Sequence, residues 1–233
     1  MSDHRNPQGQ PIGAPVPDWN GAPPLPHTPI HGERCDLLPL DLSHAAGLHA
    51  AFSADQTGTL WTYMPIGPFA DEADYADWVA GAAQQTDPLF YTIIDKAGRQ
   101  VGVTSYLRIT PLHGVVEVGW ITFAPAIQRS AIATEAMYLM MKRAFGLGYR
   151  RYEWKCDALN APSRRAAERL GFTYEGTFRQ AVVVKGRNRD TAWFSITDSE
   201  WPKVRAALEA WLAPANFEAD GQQRTALGLH PNA

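Results

Sequence analysis

The sequence predicts an α/β (α+β) fold, a mixed and mostly antiparallel central sheet of about seven strands with helices on both faces. Three observations carry this. Leu89–Asp95, Val101–Thr110 and Val115–Phe123 are runs rich in β-branched and aromatic residues separated by little more than turns, the mark of an antiparallel meander. After Pro125 the period changes, and Ala133, Met137, Met140, Ala144 and Phe145 fall on one helical face, with Lys142 and Arg143 pointing away. From there strand, helix, two strands and a helix follow to Leu212, an order that gives a mixed sheet covered on both sides.

Residues 1–32 hold Pro7, Pro11, Pro15, Pro17, Pro23, Pro24, Pro26 and Pro29, too many to pair in a sheet or hold a helix, so an extended or disordered arm is expected there. Residues 33–212 should form the folded domain and 213–233 a tail. Arg34–Leu40 reads as a strand and Ser43–Phe52 as a helix. Asp71–Gln85 reads as a second helix with acidic residues in its first turn. Lys96-Ala97-Gly98-Arg99 is the turn between the first two meander strands. Gly148 is placed to stop the helix that starts near Ala131. Arg151–Cys156 alternates polar and apolar, a strand pattern that sets Glu153 on the face opposite Tyr152 and Trp154. Asn160 is the N-cap and Gly171 the stop of the next helix. Phe172–Phe178 and Thr191–Thr197 complete the strands, and Trp201–Leu212 is the last helix.

Composition narrows the function. Hydrophobic residues make up 45% and charged residues 19% of 233, enough to fill one substantial core. The net charge of −3 argues against a general nucleic-acid binder. Cys35 and Cys156 lie in no metal-ligand spacing and read as reduced, buried thiols. The seven histidines show no ligand spacing either, so no metal is assigned. No run approaches the roughly 18 apolar residues of a membrane span. The polar, Pro-rich start has no signal-peptide core, which makes the cytoplasm the expected location.

The chemistry concentrates where strand Val115–Phe123 passes through a short loop into a helix. A helix N-terminus offers unpaired N–H groups and a partial positive charge, a natural seat for a pyrophosphate. Ser130, Ala131 and Ala133 are small enough for close approach, and Arg129 adds a cation. A second element, Asn160-Ala161-Pro162-Ser163, opens the next helix, and Leu170-Gly171-Phe172 closes it. Asn160 can cap the helix and also offer an amide, while the Ser163 hydroxyl sits in the first turn.

Taken in order, Gln128-Arg-Ser-Ala131-Ile-Ala133, then Asn160-Ala-Pro-Ser163, then Arg169-Leu-Gly-Phe172-Thr-Tyr-Glu175-Gly176 resemble the GCN5-related N-acetyltransferase (GNAT) superfamily, in its branch of ribosomal-protein alanine acetyltransferases. The resemblance spans about residues 33–200. It implies acetyl-CoA, or another acyl-CoA, as co-substrate and a primary amine of a protein N-terminus or small molecule as acceptor. It implies that the backbone of Ile121, Thr122 and Phe123 pairs with the pantetheine arm. The N–H groups of Gln128, Arg129, Ser130, Ala131, Ile132 and Ala133 would hold the pyrophosphate, Asn160 would contact the pantetheine, Ser163 would lie near the thioester sulfur and Arg165 would reach the nucleotide end. Relatives in this branch are monomers or homodimers.

Two departures stand out. Ala131 replaces the first glycine of the loop; alanine suits a helix start but not a positive φ. The Glu that related enzymes carry after the Glu-Gly pair falls here at Val182, which cannot take a proton. Glu117 is then the leading candidate base, Glu153 the second, and Ser163 the donor to the leaving thiolate. Trp61, Tyr63 and Met64 come from the segment that forms one wall of the acceptor site in the superfamily, and Arg179 belongs to a basic group with Lys185, Arg187 and Arg189. Two other readings stay open: a CoA-binding regulatory module without catalysis, and an enzyme for a longer acyl-CoA such as succinyl-CoA.

Overall fold

The computed structural model describes residues 4–229; residues 1–3 of the arm and 230–233 of the tail lie outside them. In chain order the elements are β1 (Ile30–His31), β2 (Cys35–Pro39), α1 (Ala45–Phe52), α2 (Glu72–Ala82), β3 (Leu89–Asp95), β4 (Gln100–Thr110), β5 (Val115–Phe123), α3 (Ala131–Gly146), β6 (Arg151–Asp157), α4 (Ala161–Arg169), β7 (Thr173–Val184), β8 (Arg187–Thr197) and α5 (Trp201–Leu212). Among the described residues the strands form one eight-stranded sheet in the order β1-β2-β3-β4-β5-β6-β8-β7. The β5–β6 pair is parallel and the other pairs are antiparallel.

Two cores cover the sheet. The helices α3 and α5, with the inward face of α4, pack on one side against Tyr91, Tyr106, Val116, Val118, Tyr152, Trp154, Phe194 and Ile196. On the other side α1 and α2 pack on Phe90 and Val103, with Trp61 and Tyr75 between them. Removing a fully buried side chain such as Phe194 from water contributes on the order of 2 kcal/mol, so the two cores together dominate the folding energy. Beyond β5 the charged side chains Glu117 of β5, Arg151, Glu153 and Lys155 of β6 and Glu175 of β7 collect on the second face, beside Trp193 of β8.

The eighth strand is the short β1, inside the Pro-rich arm. Ile30 carries no proline restriction and pairs with Leu37 of β2. The arm from Trp19 to His31 lies against the domain. The Trp19 indole Nε1 donates to the Leu112 carbonyl at 2.9 Å, and Leu25 is buried. The Arg143 guanidinium donates to the carbonyls of Thr28 and Pro29, both at 2.6 Å, so this side chain holds the arm rather than facing solvent as the helical period suggests. The α3 helix is buried on nearly every side from Ala133 to Met141, because the arm and α5 cover what the sheet does not. Tail residue Leu227 is buried as well, and the ring of Phe217 lies under the Arg34 guanidinium. No helix among the described residues is long and apolar enough to cross a membrane.

Candidate functional site

The site begins as a fault in the sheet. The β5–β6 ladder pairs Val115 with Arg151 through Val118 with Trp154. Both strands continue, to Phe123 and Asp157, but no longer pair with each other. A bulge helps part them. Between the Val103–Thr122 and Ser105–Gly119 pairs β4 advances two residues while β5 advances three. Trp120 takes up the difference with φ 53°. An extra residue of this kind bends its strand and leaves backbone groups unpaired. The fault therefore opens toward the C-terminal ends of β5 and β6, where α3 and α4 begin.

The entry to α3 is built by local hydrogen bonds. A 3-10 turn over Pro125–Ile127 leads to Gln128, whose amide donates to the Phe123 carbonyl at 3.2 Å. Ser130 is the N-cap: its hydroxyl accepts from the Ala133 N–H at 3.3 Å and donates to the Ile127 carbonyl at 2.6 Å. The N–H groups of Ala131 and Ile132 precede the first intrahelical bond and point out of the helix end. The left-handed residue of this loop is Arg129, with φ 60°, while Ala131 is helical. That explains why alanine can stand at 131: the backbone there needs no glycine.

Across the gap, Asn160 caps α4 by accepting from the Ser163 N–H at 3.1 Å. The Ser163 hydroxyl accepts from the buried Trp154 Nε1 at 3.0 Å. An indole N–H can only donate, so this bond orients Ser163 Oγ as acceptor and leaves its hydrogen to donate. The Cys156 thiol lies against the same hydroxyl, and burial raises its pKa, keeping it neutral.

The segment between α1 and α2 closes the opposite wall. Tyr63 donates its hydroxyl to the Leu159 carbonyl at 3.1 Å, and the Lys185 ammonium donates to the Trp61 carbonyl at 2.8 Å. The segment is thus tied to the β6–α4 loop on one side and to the β7–β8 hairpin on the other. The Trp61 ring itself is buried against Phe52 and Phe69. Gly67 is required beneath it, because a Cβ there would stand 2.6 Å from the indole. Tyr63 and Met64 are half-buried. Of the cofactor candidates, Thr122 and Ala133 are buried, Ile121, Phe123, Ser130, Ala131, Ile132 and Asn160 are half-buried, and Gln128, Arg129 and Arg165 are exposed. Arg179 is exposed on the hairpin, where its charge acts on Asp190 rather than on the gap.

A buried charge cluster lies on the second face. Parallel register sets Glu117 directly beside Glu153. Lys155 resolves the repulsion: its ammonium stands 2.6 Å from Glu117 and 3.3 Å from Glu153, over the face of Trp193 at 3.7 Å. Arg108 reaches Glu117 at 3.4 Å. Arg151 bonds Glu153 at 2.8 Å and grips both oxygens of Glu175. Burial raises the Glu117 pKa and Lys155 opposes it; the net direction is upward. Arg151 holds Glu175 below the usual glutamate range. Lys155 is the site residue that sequence reasoning missed. The alternation in β6 places it on one face with Arg151 and Glu153, but only the pairing of β5 with β6 brings Glu117 to it.

No group of three or more His, Cys, Asp or Glu among the described residues is placed to hold a metal ion. Residues 34–173 match the family model described as an acetyltransferase (GNAT) domain. The fold superposes on the crystal structure of a GCN5-related N-acetyltransferase from Brucella melitensis with a TM-score of 0.89 and 46% identity, covering 91% of this chain and 97% of that one. An uncharacterized N-acetyltransferase p20 of Bacillus licheniformis is 25% identical over 181 residues, 74% of this chain and 97% of its own. Mycobacterium smegmatis RimJ, solved in complex with CoA-disulfide, shares the fold at a TM-score of 0.65 with 23% identity, covering 76% of this chain and 88% of that one. The chain belongs to the GNAT acetyltransferase family.

Proposed function

We propose that the protein transfers an acetyl group from acetyl-CoA to a primary amine, of a protein N-terminus or a small molecule, by direct attack on the thioester. The observation that carries this reading is the parted β5–β6 pair flanked by two capped helix ends. The free edge of β5 at Ile121–Phe123 suits the amides of a pantetheine arm, and the Ala131 and Ile132 N–H groups suit a pyrophosphate. Asn160 and Ser163 then stand where the thioester would lie. Binding strand-like along the gap fixes the reacting carbonyl in place, and such positioning supplies a large part of the rate in an acyl transfer.

Ser163 is the donor to the departing thiolate in this reading, aimed by Trp154. Ser163→Ala should lower kcat on the order of 100-fold and leave the Kd for acetyl-CoA nearly unchanged. Stopped-assay kcat set against the Kd from calorimetry checks this; an unchanged kcat removes the role.

Glu117 is the base, receiving the amine proton through water. A base works only when ionised, so kcat/KM should fall as pH drops through its pKa, which burial places above the ordinary glutamate value. Glu117→Gln should abolish that acid limb and lower kcat on the order of 100-fold. A pH–rate profile that keeps its limb in the variant removes Glu117 from the mechanism. Mass spectrometry of an amine panel incubated with acetyl-CoA or succinyl-CoA tests the reaction itself: one acetyl group gained on nitrogen supports it. Gain of only the longer acyl group reassigns the donor, and CoA binding without any product favours a regulatory module.

A further inference from the structure

Building on the reading of Glu117 as base, we infer that Lys155 is a positioning residue that holds Glu117 in place and in its working charge state. The geometry is specific. Lys155 is itself buried, with 8% of its side chain exposed, as is that of Glu117. Its three donors have a defined set of partners: Glu117 at 2.6 Å, Glu153 at 3.3 Å and the Trp193 ring at 3.7 Å. A buried ammonium with two carboxylates and one aromatic face has little rotational freedom, and a carboxylate bonded to it has correspondingly little.

The arrangement does more than neutralise charge. Two adjacent carboxylates on parallel strands cannot both ionise cheaply in a buried site, so one would keep its proton. Lys155 bridges them, its ammonium set against a carboxylate oxygen of each, and offsets their repulsion. Lys155 and Arg108 favour its ionised form and Glu153 opposes it. Arg108 is more than half exposed and stands farther off, at 3.4 Å, so it substitutes poorly for Lys155. Arg151 engages one oxygen of Glu153 at 2.8 Å while Lys155 meets the other at 3.3 Å. The indole Nε1 of Trp193 is buried without a partner among the described residues, so this ring contributes its face and no competing hydrogen bond.

The test is the pH profile of kcat/KM in variants that alter one member at a time. Lys155→Met keeps the length and removes the charge; its acid limb should move up by about one pH unit or more. Lys155→Arg keeps the charge and should leave the limb within a few tenths of a unit of the wild type. Glu153→Gln removes the opposing carboxylate and should move the limb down. This last variant also serves if Lys155→Met does not fold, since Gln preserves the volume and Lys155 stays paired. Limbs that shift in opposite directions for Lys155→Met and Glu153→Gln establish the role. A limb that stays unmoved in Lys155→Met, or in Glu153→Gln where Lys155→Met does not fold, overturns it, as does a limb that Lys155→Arg moves as far as Lys155→Met. The two failures are separable: if Glu117→Gln retains the limb, the base reading is wrong; if it loses the limb while the neighbouring variants do not move it, only the role of Lys155 is wrong.

Discussion

Replacing Ala131 by Asp should separate cofactor binding from folding, with opposite signs. The residue opens α3, and its N–H precedes the first intrahelical bond. A negative charge in the first turn of a helix favours the helix by about 0.3–1 kcal/mol. The same charge placed about 5 Å from a bound pyrophosphate costs about 3 kcal/mol per charge pair at an effective dielectric near 20. The Kd for acetyl-CoA should therefore rise on the order of 100-fold while the melting temperature stays level or climbs slightly. Calorimetric titration and a thermal melt read both. A Kd that does not change places the pyrophosphate elsewhere.

Replacing Glu135 by Ala should give the largest loss of stability from a polar residue. Glu135 is buried on α3, and its carboxylate accepts from three backbone N–H groups where the chain enters β2: Arg34 at 2.6 Å, Cys35 at 2.9 Å and Glu33 at 3.3 Å. Each buried donor left without a partner costs about 1–3 kcal/mol. A total near 3 kcal/mol, or a fall of about 6–12 °C in Tm for a domain of this size, is expected. Glu135→Gln is the discriminating control. One amide oxygen can still accept from Arg34 and Cys35, so the weaker Glu33 bond and the ion pair with the Arg34 guanidinium are lost and the fall should be about half. Equal losses for the two variants would mean that packing, not hydrogen bonding, is what Glu135 supplies.

What was legible in the sequence follows from the range of each signal. Short-range signals read well. Asn160, expected as an N-cap, caps the helix it precedes. The β3, β5 and α5 bounds follow from period and flanking residues. Gly171, expected as a stop, takes the left-handed conformation with φ 93° just past α4. Signals that depend on a partner read poorly. The β7–β8 hairpin extends to Val184 and Arg187, because Gln180, in the left-handed region at φ 51°, absorbs an irregularity between Phe178–Thr191 and Val182–Arg189. Ile30 joins the sheet only because β2 presents an open edge. Arg143 turns to the arm because four carbonyl and hydroxyl oxygens of Pro26, Thr28 and Pro29 converge on it.

The site divides the same way. The loop from Gln128 to Ala133 and the start of α4 were visible as residues, and the GNAT family as their order. The parting of β5 from β6 was not, since a bulge at Trp120 leaves no mark in a run of strand formers. Nor was the Glu117–Lys155–Glu153 cluster, which exists only once two strands remote in sequence are set in parallel register. Trp61 shows the limit of composition: an aromatic residue expected at the acceptor wall turns its ring into the core and offers a carbonyl to Lys185 instead.

The central claim is that the gap between β5 and β6 holds an acyl-CoA whose thioester an amine attacks. Thiol release from acetyl-CoA, followed with and without an amine panel for the wild type and for Ala131→Asp, tests it most directly. The account predicts release that depends on the amine and, at acetyl-CoA concentrations well below KM, falls on the order of 100-fold in the variant. Release that ignores the amine, or no release for any amine from a protein that still binds CoA, would contradict it.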